Sequence, residues 1–176
     1  MRFGFPIPTR GVLGTLETIA RLARAADEYQ YDSIWITDHI VLPKTTLSQY
    51  PYAADGKLDL EAAQHYLEPL TVMSYLAGVT QRPAIGSSVL ILPYRNPMLV
   101  AKMIATLDVL SRGRVILGVG VGWMEEEFRA LNLPTFQDRG AVTDEYIRIL
   151  RELWTKEWPS YKGRFFSFEE VRFYPK

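Results

Sequence analysis

The sequence predicts an α/β protein in which strands and helices alternate around a parallel sheet. Three consecutive stretches carry this prediction, and they run from Pro83 to Trp123: PAIGSSVLILPY, RNPMLVAKMIATLDVLSRGR and VILGVGVGW. The first and third are nearly continuous apolar runs, as in strands that are covered on both faces, whereas the second has apolar residues at helical spacing. Together they predict a β-α-β unit, which requires parallel strands.

The helix of this unit has sequence signals at both ends. Asn96 is a favourable N-cap, and Pro97 fits the first helical position, where a missing N–H costs nothing. Gly113, which follows Arg112, can adopt the positive φ that ends many helices. Apolar residues recur between these ends at helical spacing: Leu99, Val100, Met103, Ile104, Leu107 and Leu110.

Alternating glycines close the second strand of the unit. Gly118, Gly120 and Gly122 remove side chains from one face, which lets a flat ligand or another backbone approach closely. A close-packed strand exit and a ligand site are equally compatible with this spacing. A dinucleotide-binding fingerprint fits poorly, because its last glycine comes three residues after the second and Gly122 comes after two.

The N-terminal part predicts a further strand, helix and strand at Arg2–Pro8, Thr15–Tyr29 and Ser33–Ile40. Asp38 and His39 lie at the C-terminal end of the second strand, the edge where parallel α/β folds bind ligands. A structural explanation is also open, in which His39 binds a loop and Asp38 caps a turn. Their position favours the functional interpretation.

A polar, turn-rich loop from Pro43 to Gly56 follows and is longer than an ordinary connection. We interpret it as a candidate lid on the functional edge, with Tyr50 and Tyr52 either reaching a ligand or pinning the loop. A helix is expected over Leu67–Thr80.

The remaining stretches complete the pattern of alternating strands and helices. The sequence predicts a strand at Arg114–Val121, an amphipathic helix at Asp144–Trp154 and a β-ribbon in Tyr161–Lys176. Between them, the acidic run 125–127 favours a helix N-terminus, although three consecutive acids are typical of a solvated face. With no linker or repeat in view, we expect residues 1–176 to form a single domain.

Composition narrows the function further. The 176 residues suit one domain, and 20 basic residues balance 20 acidic ones, so neither nucleic acid nor an anionic membrane is an expected partner. There is no cysteine, and the two histidines are His39 and His65, so a metal site of several histidines is excluded and we expect no metal. We interpret His65 as a surface or capping residue. The start, MRFGFPIPTRG, lacks a signal peptide, and we expect a cytoplasmic protein with a small-molecule substrate.

Several motifs, in order, carry a resemblance to a known family. They include YDSIWITDHIVLP, YPYAADG, YLEPLTVMSYLAGVT, the long segment IGSSVLILPYRNPMLVAKMIATLDVLSRGRVILGVGVGWMEEEFRALN, RGAVTDEYIRILRELW and KGRFFSFEEVRFYPK. Through them the chain resembles the N-terminal part of the luciferase-like monooxygenase superfamily, and specifically its coenzyme F420-dependent oxidoreductase class. The resemblance implies a TIM-barrel-like fold whose C-terminal rim holds a deazaflavin or flavin.

The resemblance also implies roles for residues on three strands. His39 corresponds to the catalytic histidine that faces the cofactor ring, with Asp38 supporting it. The third strand matches a position where the family often has a bulge with a non-proline cis peptide behind the ring: Ser87, Ser88 and Val89. The exit of the fourth strand matches residues that border the cofactor: Gly120, Gly122 and Trp123. In some sugar-phosphate dehydrogenases of the family an acidic proton donor occupies the position of Trp123, so this substrate class is not favoured.

The chemistry that the resemblance implies is hydride transfer between F420 and a small organic substrate. It needs a planar binding site and one group that exchanges a proton near neutral pH, which suits a histidine. FMN with oxygen, in a monooxygenase, is the alternative. A full barrel takes about 250 residues, so we expect only about the first four strand-helix units, without the turns that grip the cofactor phosphates. Such a partial barrel predicts a homo-oligomer, or a truncated paralogue acting as an oligomerising module.

Overall fold

The computed structural model describes residues 1–51, 53–59 and 65–176. One sheet contains four parallel strands in sequence order: Gly4–Pro6 (β1), Ser33–Ile36 (β2), Ala84–Ile91 (β3) and Val115–Gly120 (β4). The α-helices of the described residues are Leu16–Glu28 (α1), Pro69–Val79 (α2), Pro97–Ser111 (α3), Glu125–Ala130 (α4) and Arg139–Thr155 (α5). A short antiparallel ribbon joins Tyr161–Lys162 (β5) to Ser167–Phe168 (β6).

The β-α-β unit formed by β3, α3 and β4 is confirmed, together with its end signals. The Asn96 side chain caps α3 by accepting a hydrogen bond from the N–H of Met98 at 2.9 Å, and Pro97 is the first helical residue. At the other end, Arg112 and Gly113 both have positive φ, at 61° and 78°. The chain therefore turns from α3 into β4 as its sequence predicts.

The core lies between the sheet and helices α1, α2, α3 and α5. Its strand residues include Ile34, Ile36 and Ile85, which are fully buried. The opposite face of the sheet would face the interior of a closed barrel, and Val89 and Ile116 are each 41% exposed there. The fold is thus the predicted α/β class, a partial TIM-like barrel of four strand-helix units.

Several boundaries differ from those predicted. Strand β2 ends at Ile36, so Asp38 and His39 lie in the connection after it and not inside the strand. Helix α5 begins at Arg139, five residues before the predicted start. Two of the apolar residues predicted for the buried face of α3 are exposed instead: Leu99 is 57% and Leu110 63% exposed. Within the described ranges, no helix is long and apolar enough to cross a membrane.

Candidate functional site

The carboxylate of Asp38 anchors the connection after β2 to the end of β3. It accepts hydrogen bonds from the N–H of Ile91 at 2.8 Å and from both terminal nitrogens of Arg95 at 2.6 and 2.8 Å. Arg95 also donates to Glu68, the N-cap residue of α2, at 3.1 Å. Burial alone lowers the pKa of Arg95, but the hydrogen bonds and charges of Asp38 and Glu68 outweigh burial and raise this pKa. The rim is therefore cross-linked by a buried ion pair between Asp38 and Arg95, to which the partly exposed Glu68 adds a second carboxylate.

His39 is held by a second buried carboxylate, that of Glu127 in α4. The Nδ1 atom of His39 lies 2.6 Å from Oε2 of Glu127, and neither side chain is more than 8% exposed. The same carboxylate accepts hydrogen bonds from the N–H groups of Ile40 at 2.7 Å and Val41 at 3.2 Å. It also accepts one from the hydroxyl of Tyr94 at 2.9 Å. His39 therefore cannot rotate without breaking this network.

These contacts correct two expectations. Asp38 was expected to support His39, whereas in the structure it binds Arg95 and Ile91, and Glu127 supports His39 instead. The acidic run 125–127 does begin a helix, as predicted, but it is not simply a solvated face, because Glu127 is 0% exposed. The sequence cannot distinguish the three adjacent glutamates, because only the packing of the helix decides which of them is buried.

Aromatic rings surround the imidazole. Its centroid lies 5.2 Å from the ring of Tyr66 and 6.1 Å from that of Trp123, both in edge-on geometry. Tyr50, from the long loop, lies 5.2 Å from the ring of Trp123. Burial raises the pKa of Tyr66, and its hydrogen bond with Thr37 at 2.7 Å opposes this only in part. Residues that follow β2 and β4 therefore meet at one edge of the sheet, as their order predicts.

The second nitrogen of His39 remains open. Thr9 Oγ1 is the only side-chain nitrogen or oxygen, in the part of the chain that the structure describes, that is both fully buried and without a partner. The Nε2 atom of His39 has no partner among those residues either, so it must be partly accessible. Nδ1 is thus anchored inside the protein, whereas Nε2 has no hydrogen-bond partner among the described residues.

The long loop is tethered to the same helix. Glu126 accepts hydrogen bonds from the N–H of Leu47 at 2.6 Å, and from the N–H and hydroxyl of Ser48 at 3.1 and 2.7 Å. Burial is the largest single influence and raises the pKa of Glu126, but the hydrogen bonds together outweigh it and lower this pKa to about 2. Tyr50 reaches the rim, whereas Tyr52 lies outside the described residues. Adjacent residues of α4 thus fix His39 and the loop.

Strand β3 has a bulge at the position that the resemblance indicates. Its register with β4 shifts between Ser87 and Leu90, and the peptide bond between Ser88 and Val89 is cis. The hydroxyl of Ser87 is buried and donates to the carbonyl of Gly118 at 2.8 Å, whereas Ser88 and Val89 are exposed on the inner face. Contact of these residues with a cofactor stays a prediction.

The glycines of β4 give room to other parts of the chain. A Cβ atom on Gly118 would lie 2.2 Å from the carbonyl oxygen of Ser87, and one on Gly120 would lie 2.3 Å from Cγ2 of Val89. Gly122 has a φ of +82°, and a Cβ atom on it would lie 2.8 Å from Cε2 of Phe128. Of the two interpretations left open by their spacing, the structure favours close packing. Gly120 then acts on the inner surface indirectly, by seating Val89.

A cavity of about 790 Å³ opens next to Tyr66. Its polar lining includes Thr9, Arg10, Thr37 and Asp59, and Arg10 lies over the ring of Tyr66 with its guanidinium carbon 5.7 Å from the ring centroid. The rest of the lining is mostly apolar and comes from residues 6–13. The volume and mixed lining suit a small organic molecule.

These residues fit a planar redox cofactor. Val89 offers exposed apolar surface on the inner face of the sheet, and Trp123 and the open nitrogen of His39 lie at its rim. Apolar surface with few polar groups is typical of sites for flat cofactors. Of the predicted residues, His39, Ser88, Val89 and Trp123 could contact such a group, which stays a prediction. Ser87 and Gly122 instead pack against other parts of the chain, and Asp38 acts through Arg95.

Sequence reasoning missed three residues that build the site: Glu127, Arg95 and Tyr66. Glu127 was hidden in an acidic run, and Arg95 in the turn before α3. The sequence shows Arg95 beside the predicted N-cap Asn96, but nothing in it identifies Asp38 and Glu68 as the carboxylates that Arg95 binds. No signal existed either for the pairing of Glu127 with His39, which are 88 residues apart.

Comparison with known proteins agrees with the family resemblance that the sequence motifs indicate. Residues 1–176 match the family described as luciferase-like monooxygenases. An uncharacterized protein of Mycobacterium tuberculosis is 35% identical over 154 residues, which are 88% of this chain and 53% of that protein. An F420-dependent glucose-6-phosphate dehydrogenase of Amycolatopsis mediterranei is 33% identical over 161 residues, covering 90% of this chain and 44% of that enzyme.

Among solved structures, the fold is similar to that of the monooxygenase RslO1 from Streptomyces bottropensis. The TM-score is 0.80 at 24% identity, and the match covers 100% of this chain and 50% of that one. The likeness therefore extends to every element described above. The chain spans about half the length of the relatives that it matches.

Proposed function

Because the chain belongs to the luciferase-like monooxygenase family, we propose that it carries the histidine-bearing half of an F420-dependent oxidoreductase site. The proposed reaction is hydride transfer between the deazaflavin and a small organic substrate. The family includes the F420-dependent relative that is 33% identical to this chain. FMN with oxygen remains the competing cofactor chemistry, because the family likeness extends to monooxygenases.

The observation that carries this proposal is the state of His39. Its Nδ1 is fixed by the buried carboxylate of Glu127 at 2.6 Å, while its Nε2 is accessible at the rim beside Trp123. Most buried polar side-chain atoms have a hydrogen-bond partner, so a largely buried ring whose Nε2 has none among the described residues is a candidate for contact with a ligand. A fixed ring with one open nitrogen is instead suited to exchanging a proton or hydrogen bond with a ligand.

The parts of the site have distinct tasks in this proposal. Bound F420 supplies hydride chemistry. The inner face at Ser88 and Val89 provides the surface behind the ring, and Trp123 borders the ring at the exit of β4. His39 contacts the reacting atoms through Nε2, where it accepts a hydrogen bond or a proton from the substrate. The loop tethered by Glu126 limits the access of water from the side of Tyr50.

We also propose that a second copy of the chain completes the barrel. Strands β1 and β4 are the outer strands of the sheet, and no described residue pairs with their free edges. The inner face exposes Val89 and Ile116, and the relatives supply about twice the length of chain. Unpaired edges and exposed apolar surface favour association. A homodimer would place two half-sites around one interior.

A titration with each cofactor, with the mass of the protein measured in parallel, tests the proposal. The purified chain is titrated with F420 and, separately, with FMN, while cofactor fluorescence and absorbance are followed. We expect F420 to bind with a micromolar Kd, and the protein to sediment as a dimer or larger assembly. His39→Ala should weaken F420 binding about tenfold or more, because it removes the ring and its hydrogen bond.

The matched control is His65→Asn. His65 has a φ of 59°, a conformation that asparagine tolerates, and its side chain is exposed. Its replacement should leave the Kd unchanged. Tighter binding of FMN than of F420 would favour the monooxygenase alternative. An absence of binding by both at micromolar concentration, in a folded protein, would leave only the non-catalytic oligomerising module.

A further inference from the structure

Glu127 binds His39 with a division of labour between its two oxygens. Among the described residues, Oε1 accepts hydrogen bonds from the backbone N–H groups of Ile40 and Val41, at 2.7 and 3.2 Å. Oε2 contacts Nδ1 of His39 at 2.6 Å and the hydroxyl of Tyr94 at 2.9 Å. The side chain is fully buried, so no water competes for either oxygen.

This arrangement determines where the protons lie. Two backbone N–H groups and the hydroxyl of Tyr94 point at the carboxylate of Glu127, a set of donors that suits an ionised carboxylate, which only accepts hydrogen bonds. With this set of donors, Nδ1 carries the hydrogen in its contact with Oε2 at 2.6 Å. Burial and the neighbouring Glu127 raise the pKa of Tyr94, so the tyrosine hydroxyl keeps its proton and donates as well. Neutral imidazole carries one proton, and if this proton is on Nδ1, then Nε2 has a lone pair.

We propose that Glu127 is a positioning residue that fixes His39 in the tautomer protonated at Nδ1, and so presents an unprotonated Nε2 at the rim. His39 would then accept a hydrogen bond or a proton from a ligand and could not donate one. This preference selects ligands with an O–H or N–H group at that point, such as an alcohol, over a ligand with only a carbonyl oxygen. Its role in catalysis rests on the proposed function, but the tautomer does not.

The variant Glu127→Gln tests the proposed tautomer of His39, because glutamine has almost the same shape as glutamate. The glutamine needs its oxygen at the Oε1 position, because the two backbone N–H groups of Ile40 and Val41 can only donate. Its NH₂ group must then take the Oε2 position and point at Nδ1 of His39. Because an NH₂ group donates, Nδ1 would have to accept, and the proton would move to Nε2. The substitution therefore predicts an inverted tautomer.

The measurement is nitrogen NMR of the chain labelled with ¹⁵N-histidine, at neutral pH and without cofactor. The chain has two histidines, so His65→Asn assigns the His39 signals. In the parent chain we expect Nδ1 to resonate as a protonated nitrogen and Nε2 far downfield, as an unprotonated one. In Glu127→Gln the two should exchange positions. Glu125→Gln, which changes a partly exposed carboxylate of the same acidic run, should leave them unchanged.

Each outcome decides the proposal. A proton on Nε2 in the parent chain, alone or together with one on Nδ1, would overturn it, and so would an unchanged tautomer in folded Glu127→Gln. If that variant does not fold, the parent spectrum and Tyr94→Phe remain, and the latter should keep the tautomer because Glu127 is intact. The proposed function can fail by absence of cofactor binding while this spectrum is as expected, so the two failures are distinguishable.

Discussion

The two ends of the sheet are each cross-linked by one arginine, but with different partners. At the C-terminal end, Arg95 binds the carboxylates of Asp38 and Glu68. At the N-terminal end, Arg114 donates to neutral acceptors, including the carbonyls of Ala77 at 3.0 Å and Pro83 at 2.9 Å. Hydrogen bonds and charges raise the pKa of Arg95 against the effect of burial, whereas burial lowers the pKa of Arg114.

This difference reflects the role of each end: the contacts of Arg114 stabilise the fold, whereas those of Asp38 and Glu127 also position the candidate site. At the N-terminal end, Arg114 closes the last turns of α2 and α3 by binding their free carbonyls, which needs no buried carboxylate. At the C-terminal end, Asp38 and Glu127 are buried charges whose desolvation is costly. They hold the connection that carries His39 and leave its Nε2 accessible. These buried contacts are costly to form, but they fix the geometry of the candidate site at the rim. The N-terminal end of the sheet has no such site among the described residues.

The largest effect on stability should follow the loss of the rim arginine. Arg95→Ala would leave the carboxylate of Asp38, which is 0% exposed, with one remaining donor, the N–H of Ile91. We expect the free energy of unfolding to fall by about 3–5 kcal/mol, the usual cost of leaving a buried charge unpaired. Urea denaturation followed by circular dichroism measures this change.

An exposed arginine on α4 provides the matched control. Arg129 forms an i,i+4 pair with Glu125 at 3.4 Å, and its side chain is 74% exposed. Arg129→Ala should cost less than about 0.5 kcal/mol. Adding Asp38→Asn to Arg95→Ala should restore part of the lost stability, because it removes the unpaired charge. If Arg95→Ala and Arg129→Ala have equal effects, the rim is not held by buried charge.

A smaller loss is expected at the opposite end. Arg114→Ala removes hydrogen bonds to neutral carbonyls and to the hydroxyl of Thr80, at a position where the arginine is half-buried. Because water can replace some of these donors, we expect a loss of about 1–3 kcal/mol in the free energy of unfolding. The same urea experiment measures it, and the Kd of any cofactor that binds should not change.

Arg114→Lys refines this prediction. Lysine keeps the charge but not the planar set of donors that reaches Ala77, Thr80 and Pro83 together. It should therefore retain most of the loss. Full recovery with lysine would mean that charge, and not the geometry of the hydrogen bonds, stabilises the N-terminal end, and the contrast with the rim would disappear.

Much of the fold could be predicted from local signals. Apolar runs identified the strands, and Asn96, Pro97 and Gly113 marked the ends of α3. The burial of individual helix positions could not be predicted in the same way. Leu110 fits the helical period but is 63% exposed, because periodicity shows that a face exists and not how wide it is.

The candidate site was predicted only in part, for a related reason. His39 could be located because the ends of parallel strands share one edge of the sheet. Its partner could not, since Glu127 is far away in sequence and its neighbours Glu125 and Glu126 are chemically alike. Only the packing of α4 against the connection after β2 distinguishes them.

The smallest effect should come from the loop tether at Glu126. Its folded-state pKa of about 2 lies below the ordinary 4.5, so the tether contributes stability above about pH 4.5 that is lost as the pH falls toward 2. Because the group is partly exposed, we expect about 1 kcal/mol or less. Limited proteolysis of the loop between pH 7 and pH 3, with an acid-tolerant protease, should show faster cleavage at the lower pH.

Glu126→Gln should make cleavage fast and less dependent on pH, whereas Glu125→Gln, which alters only an exposed pair, should behave like the parent chain. If both variants and the parent chain are cleaved alike at every pH, the hydrogen bonds to Leu47 and Ser48 do not hold the loop at the rim.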